Sequence, residues 1–311
     1  MGALPKFTHL SPHNQDELFN FMQKYKGRYL IKAGGTDIIP NAKKRLYDFE
    51  FIISLSQLKE LDFIEYNKKL DQIRLGALTT LTSIINHKII NKLMPSVVAA
   101  AKTVAAPPIR NSATIGGNIC LNTRCFYYNQ SYMWRQSRQP CFKLKGKICN
   151  AVKGSNRCMS VFAADMPAIL IALDAYVVIG GLSGDRVCKL EKFYTGKGVK
   201  PNILQQCEYV KEILIEKISL KEAIYKKFRI RNALDFPICA VAAGYNKSNA
   251  KYTVVLNAVD SKPVVISQLD TLEAGLSQCE KSVHPIDNFY GTPSYRKSLT
   301  TVLLKKIIER W

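Results

Sequence analysis

The feature that most constrains this chain is a cysteine-rich stretch with no regular hydrophobic pattern. It contains five of the nine cysteines, namely Cys120, Cys125, Cys141, Cys149 and Cys158. The gaps after Cys125 are long, and Pro140, Gly146 and Gly154 interrupt the stretch. A segment of this length without secondary structure of its own is uncommon inside a compact domain. We therefore expect that something other than local structure holds this stretch in place.

Three explanations for these cysteines remain open on their spacing alone. A structural zinc ion usually takes ligands from tight pairs such as C-x-x-C, but the stretch contains no such pair and no histidine. A cluster of four irons and four sulfides needs one thiolate for each iron and accepts ligands from a more extended loop. The third explanation is a disordered insertion with incidental cysteines. Nucleophilic catalysis is disfavoured, because no partner base is identifiable.

The remaining composition indicates a globular cytoplasmic protein. Its 311 residues, of which 47% are apolar and 22% charged, suffice for two or three domains. The sequence has no apolar run long enough for a membrane span, and its first residues lack the layout of a secretory signal. Nine cysteines in such a chain do not indicate a disulfide framework. We expect the other four to be buried as small apolar side chains; they are Cys188, Cys207, Cys239 and Cys279.

The charge is strongly positive, at +21, and it is unevenly distributed. Between Asp71 and Asp165 the chain has no acidic residue but many lysines and arginines. Such a span suits bound anions, and a dinucleotide diphosphate and a thiolate-ligated iron–sulfur cluster are both anionic. A generally lysine-rich composition with an acidic partner surface explains the same excess. A basic, zinc-containing nucleic-acid-binding protein is the alternative from a different functional class, although no recognisable nucleic-acid-binding motif is present.

One glycine pair lies in a segment whose layout suits phosphate binding. Tyr29–Ile31 predicts a short strand, which ends in the turn Lys32–Asp37 before a predicted helix over 38–45. A strand, a glycine turn and a helix present backbone N–H groups to a phosphate. Another glycine pair, Gly116-Gly117, lies shortly before Cys120. Neither a Rossmann fingerprint nor a P-loop is present.

The two halves of the chain differ in their predicted elements. The first half alternates short strands, helices and glycine turns, and it ends near a predicted helix over 166–173 with Asp165 at its N-cap. The second half predicts antiparallel strands over 212–218, 223–230, 238–245 and 251–257, followed by helices over 267–279 and 294–310. We predict an α+β fold with a domain boundary near residue 182.

Three short motifs resemble the flavin-binding signatures of the FAD subunits of molybdenum hydroxylases, the xanthine dehydrogenase family. They are Ala33-Gly34-Gly35-Thr36-Asp37, Thr114-Ile115-Gly116-Gly117-Asn118 and Asp165-Met166-Pro167-Ala168. The run from Gly117 to Ser131, with Trp134-Arg135 after it, resembles the 4-hydroxybenzoyl-CoA reductase branch of that family. In that branch the FAD subunit carries an inserted loop with an additional 4Fe–4S cluster. The resemblance covers nearly the whole chain.

The resemblance implies two sets of cofactor-binding residues. The FAD set consists of Lys32, Ala33, Gly34, Gly35, Thr36, Asp37, Ile38, Ile39, Val104, Thr114, Ile115, Gly116, Gly117, Asn118, Asp165, Ile213 and Lys227. The ligands of the 4Fe–4S cluster are Cys125, Cys141, Cys149 and Cys158, and Cys120 is not among them. The two glycine turns are expected to hold the FAD diphosphate through backbone N–H groups. Asp165 is expected to hydrogen-bond the flavin or its ribityl chain.

The resemblance also implies an architecture, partners and a function. Residues 1–182 correspond to a two-subdomain FAD-binding domain of the vanillyl-alcohol-oxidase (PCMH) type, with the iron–sulfur loop inserted at about 119–160. Residues 183–311 correspond to the small C-terminal α+β domain of CO dehydrogenase flavoproteins. The chain is expected to assemble with a large molybdopterin-binding subunit and a small 2Fe–2S subunit, as a dimer of heterotrimers. Electrons are expected to pass from ferredoxin through the 4Fe–4S cluster and FAD to the 2Fe–2S clusters and molybdenum. The same architecture in an aldehyde or purine hydroxylase is the alternative.

Overall fold

The first part of the fold is a small parallel sheet of three strands, in which one helix connects the first strand to the second and another connects the second to the third. The computed structural model describes residues 3–311. The first elements are β1 (Thr8–Leu10), α1 (Gln15–Lys24), β2 (Tyr29–Lys32), α2 (Ile38–Lys43) and β3 (Phe51–Ser54). The strand order is β1-β3-β2, and both pairs are parallel. Asn14 caps α1, because its side chain accepts the N–H of Glu17.

A five-stranded antiparallel sheet follows, in the order β4-β5-β10-β6-β7. Its strands are β4 (Ile64–Asn67), β5 (Gln72–Gly76), β6 (Tyr176–Gly180), β7 (Arg186–Lys189) and β10 (Tyr209–Glu216). The helices that accompany it are α3 (Leu81–Asn86), α4 (Lys88–Leu93), α5 (Pro95–Thr103), α6 (Pro107–Arg110), α7 (Ile115–Ile119), α9 (Met166–Ala172) and α10 (Leu190–Phe193). A short ribbon is formed by β8 (Tyr194–Lys197) and β9 (Lys200–Asn202). The largest hydrophobic core of the protein lies between this sheet and its helices.

The C-terminal part is a four-stranded antiparallel meander with two helices. Its strands are β11 (Lys221–Phe228), β12 (Cys239–Asn246), β13 (Lys251–Asn257) and β14 (Val264–Leu269), and its helices are α11 (Leu272–Cys279) and α12 (Pro293–Ile308). Strand β12 is buried along most of its length because α9 packs against it on one side and α12 on the other. Gly244 allows the close approach of α9, since a Cβ there would lie 1.9 Å from the carbonyl oxygen of Ala172.

The α+β fold class is confirmed, and individual elements differ from the predictions. The predicted helix over 267–279 is strand β14 followed by α11, which Thr271 caps. Thr80 caps α3, because its side chain accepts the N–H of Ser83. The five-stranded sheet takes strands from both sides of the predicted boundary at 182, and the next sheet begins at Lys221. The division into domains at residue 182 stays a prediction. Among residues 3–311, no helix is long and apolar enough to cross a membrane.

The cysteine-rich stretch is an excursion from the five-stranded unit with little secondary structure. It contains one helical segment, α8 (Tyr132–Gln136), and a short 3-10 turn at Phe142–Leu144. Arg124 and Val161 close its base by exchanging backbone hydrogen bonds of 2.6 and 2.8 Å. The buried Arg135 donates to the carbonyl oxygens of Lys44 and Arg45 at 2.9 and 2.8 Å. The excursion therefore lies against the segment that follows α2.

Candidate functional site

A cavity of about 570 Å³ lies between the first sheet, the five-stranded unit and the loop before β12. Its size is in the usual range for a site that binds a cofactor. Twelve of the predicted FAD-binding residues line it, namely Ala33, Gly34, Gly35, Thr36, Asp37, Ile38, Val104, Thr114, Gly116, Gly117, Asn118 and Asp165. The structure thus brings both glycine turns and Asp165 to one cavity.

The first glycine turn, between β2 and α2, offers unused backbone donors to the cavity. The N–H groups of residues 34–38 donate to no protein acceptor within the described part of the chain. Gly35 takes a left-handed conformation, with φ of 77°, which glycine adopts without strain. Gly34 approaches the second turn so closely that a Cβ there would lie 1.7 Å from the carbonyl oxygen of Ser112. Consecutive free N–H groups in such a turn are suited to bind an anion.

The second turn offers fewer free donors than the first. Ile115 and Gly116 donate their N–H groups to Thr79 and Ala77, each at 2.9 Å. The side chain of Thr114 accepts the N–H of Gly117 at 3.1 Å and caps α7, while the N–H of Thr114 itself donates to no protein acceptor among the described residues. That both turns hold the diphosphate stays a prediction.

Five predicted FAD-binding residues lie off the cavity wall. They are Lys32, Ile39, Ile115, Ile213 and Lys227. Ile213 is fully buried in the hydrophobic core. Residues of β9, β10 and the segment between them also line the cavity, and the sequence analysis did not predict them. They are Pro201, Asn202, Leu204, Glu208, Tyr209 and Val210. Tyr209 is buried, and its hydroxyl has no hydrogen-bond partner within the described residues. This hydroxyl lies beside Gly180 and is closed off from the cavity, so Tyr209 lines the cavity with its other atoms.

Asp165 is held by two residues of β11 rather than by helix capping. Its carboxylate accepts the Tyr225 hydroxyl at 2.6 Å and the Lys227 ammonium at 3.0 Å. The predicted capping contact from Asp165 to α9 is absent; instead the Asn118 side chain accepts the N–H of Met166 at 3.2 Å. Burial raises the pKa of Asp165, and the charge of Lys227 opposes this shift. Lys227 thus serves the cavity indirectly, by fixing Asp165.

Replacing Tyr225 with phenylalanine is expected to lower the free energy of unfolding by about 1–3 kcal/mol, because a buried carboxylate loses one of its two donors. Urea unfolding of the full chain would measure this. Tyr245→Phe is a matched control, since the Tyr245 hydroxyl, on β12, forms no hydrogen bond among the described residues. We expect the control to change the free energy by less than about 0.5 kcal/mol. Equal effects of the two substitutions would contradict the role given to Tyr225.

An ion pair connects this cavity with the cysteine-rich stretch. Arg124 donates to the carboxylate of Asp37 at 2.8 Å, and both residues line the cavity. The guanidinium of Arg124 also lies over the ring of Phe236, 4.7 Å from its centroid. Burial raises the pKa of Asp37, and Arg124 opposes that shift. Arg124 thereby fixes the position of the residue that immediately precedes Cys125.

A second, small cavity lies inside the cysteine-rich stretch. Cys125, Cys141, Cys149 and Cys158 all line it, although they are far apart in sequence. A tight turn brings Cys141 and Cys149 together: Phe142 donates its N–H to Ile148 and Gly146 donates to Cys141, each at 2.9 Å. Only glycine fits at position 146, since a Cβ would lie 1.7 Å from the carbonyl oxygen of Pro140. Cys120 lines the larger cavity instead.

The four cysteines line the small cavity from different parts of the stretch. Within residues 3–311, no group of three or more His, Cys, Asp or Glu side chains is arranged to hold a single metal ion. Burial raises the pKa of Cys125 to about 11, and Cys158 and Cys141 contribute to the shift by charge repulsion. The sulfur of Cys158 donates to the hydroxyl of Ser160 at 3.2 Å. The other cysteines behave largely as predicted: Cys207, Cys239 and Cys279 are buried and Cys188 is half-buried.

Known proteins resemble this chain over its whole length. The glyceraldehyde dehydrogenase medium chain of Sulfolobus acidocaldarius is 24% identical, with 98% of each chain covered. The aldehyde oxidoreductase FAD-binding subunit of Escherichia coli K12 is 26% identical, with 97% of this chain and 96% of that protein covered. Both similarities extend through the C-terminal unit as well as the cavity.

The fold has a solved counterpart in CO dehydrogenase from Oligotropha carboxidovorans. The TM-score is 0.78 at 20% identity, with 99% of this chain and 98% of that chain covered. The fold is accordingly that of the two-subdomain FAD-binding domain of the PCMH type followed by a small C-terminal α+β unit. A family profile described as the FAD binding domain in molybdopterin dehydrogenase matches residues 5–217. The chain therefore belongs to the family of FAD-binding domains of molybdopterin dehydrogenases.

Proposed function

We propose that this chain is an electron-transfer subunit that holds FAD in the larger cavity and a 4Fe–4S cluster in the smaller one. The observation that carries the proposal is the arrangement of four cysteines around a single cavity that adjoins the flavin cavity. The chain provides both sites from one continuous stretch, in which Asn122 and Arg124 line the first cavity and Cys125 the second.

Residues of the larger cavity fit each part of an FAD molecule. The free N–H groups of residues 34–38 would bind the diphosphate. Asp165, fixed by Tyr225 and Lys227, would accept a hydrogen bond from the flavin or its ribityl chain. Leu234 and Phe236 would cover the cavity from the C-terminal unit and reduce access of water. Bound FAD would supply a centre that exchanges electrons in steps of one or two.

The spacing of the cysteines supports a cluster rather than zinc. A structural zinc ion usually takes ligands from tight pairs such as C-x-x-C, and the stretch contains no such pair and no histidine. A four-iron cluster spreads its ligand positions over four corners, each with one thiolate, and four cysteines line the small cavity. Coordination would have to deprotonate Cys125, because burial otherwise raises its pKa to about 11. The cluster would supply a one-electron carrier.

The partners and the overall reaction are part of the proposal and rest on the resemblance to the family. We infer that the chain assembles with a large molybdopterin-binding subunit and a small 2Fe–2S subunit, as a dimer of heterotrimers with ferredoxin as the donor. The resemblance of residues 117–131 to the 4-hydroxybenzoyl-CoA reductase branch supports reductive removal of a phenolic hydroxyl from an acyl-CoA as the reaction of the complex. In that reaction the chain supplies electrons and does not bind the aromatic substrate.

A second candidate is an aldehyde-oxidising complex of the same architecture, in which electrons leave molybdenum through this chain. It is favoured by the relatives from Sulfolobus acidocaldarius and Escherichia coli, both named for aldehyde substrates and both similar over nearly their whole length. Activity of the purified complex with a phenolic coenzyme A thioester or with an aldehyde would distinguish the two candidates.

The cofactor content is tested by the absorption spectrum and the flavin and iron content of the complex purified without oxygen. We expect about one FAD and, in the four-cysteine site, about four irons for each copy of this chain. A yellow-brown colour with flavin and iron–sulfur absorption would accompany them. A colourless protein, or zinc in place of iron, would contradict the proposal.

A further inference from the structure

Lys143 is a cation placed between the two cavities. Its ammonium donates to the side-chain oxygen of Asn122 and to the carbonyl oxygen of Thr123, each at 2.8 Å. It also lies over the ring of Tyr128, 4.8 Å from the centroid. Asn122 lines the flavin cavity, whereas Lys143 and Tyr128 line the cysteine cavity. The lysine thus contacts the walls of both sites.

No carboxylate forms an ion pair with this ammonium within residues 3–311. The charge of Lys143 also acts on Asp37, but that carboxylate is already paired with Arg124. The two hydrogen bonds of Lys143 go to neutral oxygens, and Lys143 lines the cysteine cavity. A cation that is partly withdrawn from water is stabilised by a nearby anion. The cysteine cavity is the site where such an anion would be held.

We propose that Lys143 is a positioning residue that supplies the counter-charge for the anionic group held by the four cysteines and raises the reduction potential of that group. The inference rests on the proposed function, because it requires the cluster. Reduction adds one electron and no proton, so the group becomes more negative by one charge. A fixed cation at the cavity wall stabilises the reduced form more than the oxidised form. Since Lys143 also holds Asn122, its charge lies on the side of the cluster that faces the flavin cavity.

The test is a redox titration of the purified complex with dithionite as reductant, in which the reduced cluster is followed by electron paramagnetic resonance. We expect Lys143→Met to lower the equilibrium constant for reduction of the cluster at least about tenfold, which for a one-electron couple corresponds to about 59 mV. Lys143→Arg, which keeps the charge, is expected to restore most of the potential. Lys147→Met is the matched control, because Lys147 is an exposed lysine of the same loop.

The outcomes separate this inference from the function on which it rests. A cluster in Lys143→Met with the same potential as in Lys147→Met overturns the role of Lys143 and leaves the cofactor assignment intact. Absence of iron from the wild-type complex overturns the proposed function instead. Loss of iron in the methionine variant alone, with retention in the arginine variant, supports the counter-charge role. Loss of iron in both variants overturns it, because the shape of lysine rather than its charge would then be required.

Discussion

Replacing Cys141 with serine is expected to remove nearly all iron from the purified protein and to leave most of its flavin. Cys141 is the most enclosed of the four cysteines, at 7% exposure, and lies on the wall of the small cavity. A serine hydroxyl ionises far less readily than a thiol and is a poor ligand for iron. Each iron of the cluster requires one thiolate, so loss of one ligand leaves one corner open. Iron should fall from about four atoms to a small fraction, measured by metal analysis beside the flavin absorbance.

Cys120→Ser is the matched control for this experiment. Cys120 lies only a few residues before Cys125 in the same stretch but lines the larger cavity. Burial raises the pKa of its thiol to about 12, as expected for a neutral side chain in apolar surroundings. The variant should retain its iron. Loss of iron from Cys120→Ser together with full iron in Cys141→Ser would reverse the assignment of ligands.

The sequence could identify the cysteine stretch but could not choose among its explanations. Spacing does not reveal which thiols face one another, because the turn that joins Cys141 and Cys149 depends on the close packing of Gly146 against Pro140. The docking of the stretch depends on pairs that are distant in the chain. Lys44, for example, donates to the carbonyl oxygen of Asn129 at 3.0 Å. Such contacts leave no local pattern in the sequence.

The flavin cavity was predictable where local structure determines it. Glycine pairs in the sequence indicate places where two backbone segments can approach closely. Both glycine turns line the larger cavity. Ile213 illustrates what local structure does not determine. The pairing of β10 with β6 shifts register between Val210 and Glu212. One extra residue changes which face of the strand the following side chains occupy. Ile213 lies in the hydrophobic core, and its contact with the flavin stays a prediction.

The positive charge of the stretch has more than one role. The sequence suggested that its cations accompany bound anions, and Lys143 fits that expectation. Arg135 does not, because its guanidinium is buried against backbone carbonyl oxygens of residues 44, 45 and 130. Arg124 pairs with Asp37, an acid from outside the stretch. Some of the arginines in the stretch therefore attach it to the rest of the fold. Composition alone does not distinguish these residues from cations that bind a ligand.

Replacing Gly34 with alanine is expected to abolish tight flavin binding. A Cβ at this position would lie 1.7 Å from the carbonyl oxygen of Ser112 and 2.6 Å from its carbonyl carbon. These are backbone atoms of the segment that leads into the second glycine turn, so the methyl group can be accommodated only if the two turns move apart. Overpacking of this kind costs about 1–3 kcal/mol, and the displaced N–H groups of residues 34–38 would no longer match the diphosphate. We expect the FAD affinity to fall by at least about tenfold, which corresponds to about 1.4 kcal/mol.

Flavin content after gel filtration and the dissociation constant of added FAD would measure this effect, and iron content would report whether the rest of the fold is intact. Gly181→Ala is the matched control, because the nearest atoms to a Cβ there are 3.5 Å away, an ordinary contact distance. We expect the control to retain FAD and iron at wild-type levels. Gly34→Ala should retain iron while it loses flavin, since the four cysteines belong to the other cavity. Wild-type FAD affinity in Gly34→Ala would show that the approach of the two turns does not form the diphosphate site.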